Sequence, residues 1–290
     1  MSASHSLKLH YYKYFTALLL FGSNGIVASM ISLPSYQIVL LRTMIGSLLL
    51  FTIFCLRRER FSFLQKKKQF LFLTISGIAM GASWMFLYEA YQQIGVSLAS
   101  LSYYCGPVIV MALSPFLFRE RFVPAKIAGF CIVFLGILLV NGQDFSAGNN
   151  RFGLFCGAMS AVMYAFMVIF NKKASAISGL ENSLLQLAIS FLTAAVFVGF
   201  RYGYAITLLP SDYLPLLMLG LVNTGIGCYF YFSSIGQLPV QTVAVCGYIE
   251  PLSAVLFSVL FLKEVLSLPQ MIGALCIIGG AVLNEKKGCI

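Results

Sequence analysis

Charge is what this sequence has least of. Asp, Glu, Lys and Arg make up 10% of its 290 residues, against 60% hydrophobic residues and a mean hydropathy of +0.91, whereas soluble domains average about 25% charged. A chain so poor in charge cannot clothe a water-facing surface, so it reads as an integral membrane protein. Histidine is almost missing: His5 and His10 both precede the first long apolar run. No paired aspartates and no His-rich metal set occur within the apolar runs, so the usual equipment of an intramembrane enzyme is absent and neither metal nor cofactor is expected. Nothing resembles a P-loop, which argues against ATP drive within this chain. Cys55, Cys105, Cys131, Cys156, Cys228, Cys246, Cys276 and Cys289 are scattered without zinc-site spacing and read as reduced thiols, nearly all within helices. The first apolar run follows Lys8 and Lys13 but is not followed by a small-residue cleavage site, so it reads as a retained helix. Cys289 has one residue after it, which excludes a prenylation box.

Long hydrophobic runs, by contrast, fill the chain. A spanning helix needs about 20 apolar residues, with roughly 17–25 tolerated. Ten segments meet that need, near 14–31, 36–56, 70–91, 98–118, 124–140, 152–170, 183–201, 213–235, 242–262 and 268–283. The runs are continuous rather than alternating, which favours helices over barrel strands.

The net charge of +10 is explained by where the basic residues lie. With the N-terminus in the cytoplasm, the inner segments hold Lys8, Lys13, Arg57, Arg58, Arg60, Lys66, Lys67, Lys68, Arg119, Arg121, Lys126, Lys172, Lys173, Lys286 and Lys287, and the outer ones only Arg151, Arg201 and Lys263. That asymmetry obeys the positive-inside rule with both termini cytoplasmic. The charge is then an orientation signal in the cell (inner) membrane, and nucleic acid is not an expected partner.

The chain also repeats itself at an offset of 144 residues. Gly81, Phe86, Gln93, Val96, Tyr104, Pro107, Ser114, Glu120, Gly129, Gly136 and Leu139 recur as Gly225, Phe230, Gln237, Val240, Tyr248, Pro251, Ser258, Glu264, Gly273, Gly280 and Leu283. Helix breakers and charges are among these matches, so shared greasiness does not explain them. A duplicated membrane unit does. The units divide as 1–146 and 147–290, joined by the polar, Gly- and Asn-rich stretch 142–150. Five helices per unit is an odd number, so the second copy enters the membrane from the opposite side and the repeat is inverted. The basic cluster Lys66-Lys67-Lys68 has no counterpart in the second copy, where the equivalent loop around 202–212 faces outward, as inversion requires.

The stretches Gly247-Tyr248-Ile249-Glu250-Pro251 and Phe261-Leu262-Lys263-Glu264, with Gly273 and Gly280, resemble the second repeat of the EamA family in the drug/metabolite transporter superfamily. Pro107, Glu120, Gly129 and Gly136 resemble the same signature in the first repeat, and Gly22-Ser23-Asn24 and Arg42 also match. The resemblance covers nearly the whole chain. It implies an all-α membrane fold of ten helices in two inverted five-helix repeats, a central cavity and alternating access. It leaves the substrate open, since the family carries amino acids, amines, nucleotides, vitamins and drugs.

Charges inside apolar helices cost about 2.5–3.5 kcal/mol at the helix centre and mark functional candidates. Arg42, Glu89 and Glu250 qualify. Arg42 and Glu89 lie within roughly 10 Å of the outer boundary, at about 1.5 Å per residue, on consecutive antiparallel helices, so an ion pair is sterically open to them. Arg42 then either ties two helices or gates. Glu89 reads as a proton-coupling site or as an attractor of a cationic substrate group, and an acid there departs from what the resemblance implies. Glu250 lies about 12 Å in from the cytoplasmic side, and Pro251 beside it frees a carbonyl near Gly247 and lets the helix bend. It reads as a proton or cation site or, as the resembled family's general Glu-Pro pair implies, as a structural or gating element with Pro107 as Pro251's repeat mate. Glu120 and Glu264 read as caps on the positive ends of the following helices.

Trp84, Tyr88 and Tyr91 share one face of the third helix by i, i+4, i+7 spacing, with Glu89 beside it. Tyr103, Tyr104, Tyr164, Tyr229, Tyr231 and Tyr248 supply possible facing stripes, suited either to an organic cation or aromatic amino acid by stacking and cation–π contact or to plain packing. Ser23, Asn24, Ser83, Asn223 and Thr224 add polar groups for the same cavity or for helix contacts. The expected function is a secondary transporter moving a small polar or amphipathic metabolite, proton-coupled or by exchange, with export favoured over uptake of a nutrient such as an amine, nucleoside or vitamin. A channel differs in that its flux neither saturates nor exchanges. The expected partners are the small substrate, protons and the lipid bilayer, with the chain a monomer or homodimer.

Overall fold

The structure is a computed structural model that describes residues 2–94, 99, 102–103, 105–118, 124–141, 151–262, 268–269, 271–273, 275–276 and 279. The described residues are helical, with no strands among them. In order, α1 is Ser2–Gly22, α2 Asn24–Ser29, α3 Ser35–Leu56, α4 Lys67–Ile94, α5 Gly106–Phe118, α6 Pro124–Asn141, α7 Arg151–Lys173 and α8 Gly179–Arg201. A short 3₁₀ turn, Pro210–Asp212, leads into α9 (Tyr213–Leu217), a π-helical stretch Met218–Ile226 and α10 (Gly227–Ile235); α11 is Val240–Cys246 and α12 Ile249–Leu262. Ser35–Leu56, Lys67–Ala90, Arg151–Lys173, Gly179–Arg201 and Pro210–Ile235 are each long and apolar enough to cross a membrane. Leu48, Phe51, Leu192, Val196 and Phe200 are exposed on them, as side chains facing lipid should be. Five apolar spans among the described residues are consistent with the ten-helix count, and a membrane helix satisfies its backbone within itself.

Two compact units share the chain, one built from residues 1–85 and 166–238, the other from 86–165 and 239–290. In the first, α3 packs on α8 and on the π-helical stretch, and α1 packs on α10. Glycine permits the close approach of α3 to both neighbours: a methyl group on Gly46 would come within 2.9 Å of Leu187, 3.0 Å of Thr224 and 3.2 Å of the Gly220 carbonyl. Small residues at such crossings are the rule where lipid removes any hydrophobic drive to associate.

Both ends of this unit are pinned by acids. Glu181 accepts hydrogen bonds from the Ser62 N–H (2.7 Å), the Ser62 hydroxyl (2.7 Å) and the Phe63 N–H (2.9 Å), which anchors the basic 57–66 loop. The helix carrying Glu181 begins at Gly179, four residues before the apolar run that marks it in sequence, because its first turn is polar and held by these bonds. Asp212 accepts from the Ser32 N–H (2.9 Å) and the Leu209 N–H (3.1 Å). Lys172 donates to the carbonyls of Ile235, Gly236 and Leu238, where α10 ends, as a cation near a helix C-terminus should.

In the second unit α5 packs on α11, and Leu87, Ala90, Ile94, Ala99 and Cys156 form a buried cluster. Its helices break at matching points. Gly106 opens α5 with Pro107 in its first turn, and Ile249 opens α12 with Glu250 and Pro251 in its first turn. The expected continuous ninth helix is therefore two, α11 and α12, separated by a turn at Gly247-Tyr248. Pro251 has no N–H to give the Gly247 carbonyl; that carbonyl accepts the Glu250 N–H instead at 3.2 Å.

Candidate substrate-binding site

Arg42 is the centre of the most distinctive arrangement. It lies about two turns into α3 and is only 4% exposed. Its Nε donates to the Thr224 hydroxyl at 2.9 Å, and its guanidinium carbon sits 4.7 Å from the centroid of the Trp84 ring. Tryptophan offers a cation the best aromatic face, and arginine is the cation found there more often. The Thr224 hydroxyl, used as an acceptor by Arg42, gives its own proton to the Leu219 carbonyl at 2.7 Å. That five-residue reach belongs to the wider winding of Met218–Ile226, and π-bulges of this kind gather at functional sites.

The next residue back extends the polar patch. The Asn223 Nδ2 group lies 2.9 Å from the Leu20 carbonyl, 2.8 Å from the Ser23 hydroxyl and 3.0 Å from Asn24 Oδ1, donating toward all three. Ser23 sits in the one-residue turn between α1 and α2 and donates its hydroxyl to the Leu20 carbonyl at 2.7 Å, a local bond that competes with regular helix. Asn223 Oδ1 is buried and meets no donor among the described residues. Ser23, Asn24, Asn223 and Thr224, offered by the sequence as polar groups for one cavity or for helix contacts, thus meet in one unit.

What this site lacks is an acid. The described carboxylates of the same unit are Glu59, Glu181 and Asp212, and each is engaged elsewhere: Glu59 with Arg57 at 4.0 Å, Glu181 with Ser62 and Phe63, and Asp212 with Ser32 and Leu209. A guanidinium carries five N–H donors, and only the Nε–H is used within the described part of this unit. A charge inside apolar helices is expensive unless it is paired, and the described acids of this unit are bonded to other groups.

The other sequence-picked residues distribute as follows. Glu89 belongs to the second unit and accepts the Gln93 side-chain N–H at 3.0 Å, so Arg42 and Glu89 each take partners in their own unit. Tyr164 and Tyr248, also in the second unit, are buried. Tyr164 packs edge-on against Tyr103 with ring centroids 5.3 Å apart, lies within electrostatic reach of Tyr248, and presses on Gly106, where a Cβ would come within 2.6 Å of its ring. Tyr88 and Glu250 are half-buried, and Pro107 is buried. Tyr229 belongs to the first unit, its ring 5.4 Å from the Lys13 ammonium. Tyr104 and the side chains of Tyr91 and Pro251 lie outside the described residues.

Sequence reading undervalued Thr224, and Glu181 escaped it altogether. The signal for Thr224 was present in Asn223-Thr224, two adjacent polar residues in an apolar run between Gly220 and Gly225. Glu181 had a weaker one, an acid in the first turn of a helix.

Comparison with known proteins agrees with this architecture. The transporter YxxF of Bacillus subtilis is 24% identical over 92% of this chain and 86% of its own length. A "Probable amino-acid metabolite efflux pump" of Salmonella typhimurium is 26% identical over 64% of this chain and 66% of its own. A crystal structure of a protein superposes with a TM-score of 0.81 over 95% of this chain and 98% of that one, at 20% identity, which shows the fold. Both sequence relatives are transporters by name, and the EamA-like transporter model matches residues 11–142 and again 151–285. The chain is a multi-pass membrane protein and belongs to the EamA-like transporter family.

Proposed function

We propose that this chain is a secondary active transporter that moves a small polar or amphipathic metabolite across the cell (inner) membrane by alternating access, with both termini in the cytoplasm and export as the favoured direction. The observation that carries the reading is the buried Arg42–Thr224–Trp84 arrangement: a costly, pre-oriented polar group inside the apolar helices of a chain from a transporter family. The efflux pump among the relatives supports export, and the distribution of Lys and Arg supports the orientation. Glu89 and Glu250 are the acids proposed to couple transport to protons. Discontinuous helices lining midplane sites are the usual construction in such transporters, and α11 and α12 meet at such a break beside Glu250.

The test is counterflow in proteoliposomes. Purified protein loaded with unlabelled substrate should accumulate the labelled compound transiently, with a rate that saturates. Linear, non-exchanging flux would assign a channel instead.

A further inference from the structure

We infer that Arg42 is the anchor for a substrate carboxylate, so that the substrate class of this transporter is a small monocarboxylate rather than an organic cation or a neutral solute. The inference rests on the transporter reading above and adds to it a binding group and a ligand charge.

Three observations lead there. First, Arg42 is the one basic side chain more than nine-tenths buried among the described residues, and the three described acids of its unit are committed to other groups. Second, two groups hold the guanidinium: Thr224 takes the Nε–H, and the Trp84 ring centroid lies 4.7 Å from its central carbon, with no other hydrogen bond to it among the described residues of its unit. The four remaining N–H groups form the planar fork that matches a carboxylate in bidentate fashion. Third, the site supplies a single positive charge. A monoanion neutralises it, while a phosphate dianion would leave a net negative charge in an apolar setting and a cation would meet like charge. Thr224 is a positioning residue in this arrangement; Arg42 is the binding group.

Trp84 gives the experiment its readout. It is the only tryptophan in the chain, and it touches Arg42, so intrinsic fluorescence of the purified full-length protein in detergent reports this site alone. Propionate, lactate and phenylacetate are titrated beside propionamide, phenethylamine and inorganic phosphate. The expected result is a saturable change with at least one carboxylate and none with the amide, the amine or phosphate. Arg42→Lys should weaken that response by about tenfold or more, because an ammonium cannot form the fork. Thr224→Val should weaken it less and Thr224→Ser should leave it intact. If Arg42→Lys does not fold, the Thr224→Val and Thr224→Ser pair still decides.

A response to phosphate or phenethylamine but to no acid overturns the inference, as does silence with every acid. So does an acid response of equal affinity in wild type and Arg42→Lys. Counterflow of a non-carboxylate with an Arg42-independent KM would sink the carboxylate anchor while leaving the transporter reading intact. Absence of counterflow for every compound offered, in protein whose Trp84 responds to acids, would sink the transporter reading and leave the anchor.

Discussion

Thr224 shows how much a single hydroxyl decides. It accepts from a buried cation and donates to Leu219, and hydrogen bonds to charged groups contribute about 1.5–3 kcal/mol. Thr224→Val keeps the shape and removes both bonds, so it should lower stability in detergent by about that amount, with Thr224→Ser restoring most of it; thermal melting followed by circular dichroism checks this. Equal melting of the Val and Ser variants would mean that Arg42 does not depend on this acceptor. His10 makes a second case. Burial first, then the nearby Lys13 charge, push its imidazole below the ordinary histidine value, and a bond with the Ser233 backbone only partly offsets them. The unfolded chain therefore binds the proton more tightly. Stability from this group is fully present above about pH 6.5 and is lost as pH falls through the lower folded value. His10→Gln should flatten the fall in melting temperature between about pH 7.5 and pH 5, and an unchanged slope would rule out His10 as its source. Of the residue-scale picture, Arg42 was legible from sequence because a charge in an apolar run is conspicuous. Its partners were not. Counting residues gives depth along a helix, but the side of the helix a residue faces depends on local winding. The π-helical stretch Met218–Ile226 resets that phase just where Thr224 must turn toward Arg42.

Helices and their interruptions carry the next level. Pro251 announced a bend rather than the break that is found, since a residue without an N–H cannot continue the ladder; the π-helical stretch announced nothing, because its apolar composition suits an ordinary helix equally well. The matched positions of Pro107 and Pro251, each in the first turn of a helix, give the repeat a physical content: both copies preserve the break. Gly81 and Gly225, another matched pair, both mark close approaches. A Cβ on Gly225 would come within 2.7 Å of Leu49 Cδ2, and one on Gly81 within 2.8 Å of Thr193 Cβ and 3.0 Å of the Ser190 carbonyl. The contacts at Gly81 are stiff, being backbone and a branched Cβ rather than the tip of a flexible chain. Overpacking of that kind costs about 1–3 kcal/mol, against a gain of up to about 1 kcal/mol in helix propensity for Gly→Ala. Gly81→Ala should therefore be net destabilising, and Gly225→Ala, whose one contact under 3.0 Å is the end of a leucine, should be milder. Comparing the two melting temperatures in the same detergent is the check, and an inverted order would show that α4 and α8 can separate at little cost.

At the scale of the molecule, the compact units do not follow the sequence halves. Residues 1–85 join 166–238, and 86–165 join 239–290, so each unit takes a part of each matched stretch. Composition and the 144-residue repeat make the membrane class and the duplication legible, but not this exchange, which depends on which helices pack rather than on which are alike. It also divides the charged candidates: Arg42 belongs to one unit, and Glu89 and Glu250 to the other. That division suggests separate tasks, with Arg42 for the substrate and Glu250, in the first turn of α12 beside the Gly247-Tyr248 turn, for the proton. Glu250→Gln fixes the side chain in a neutral, near-isosteric form. In liposomes with an imposed pH gradient, the variant should lose stimulation by the gradient and fall to the rate seen without one. Counterflow, which needs no net proton movement, should continue, and Trp84 fluorescence should still respond to the substrate. Gradient-driven uptake at the wild-type rate would remove Glu250 from the coupling path, and loss of counterflow together with the gradient response would assign it to gating instead.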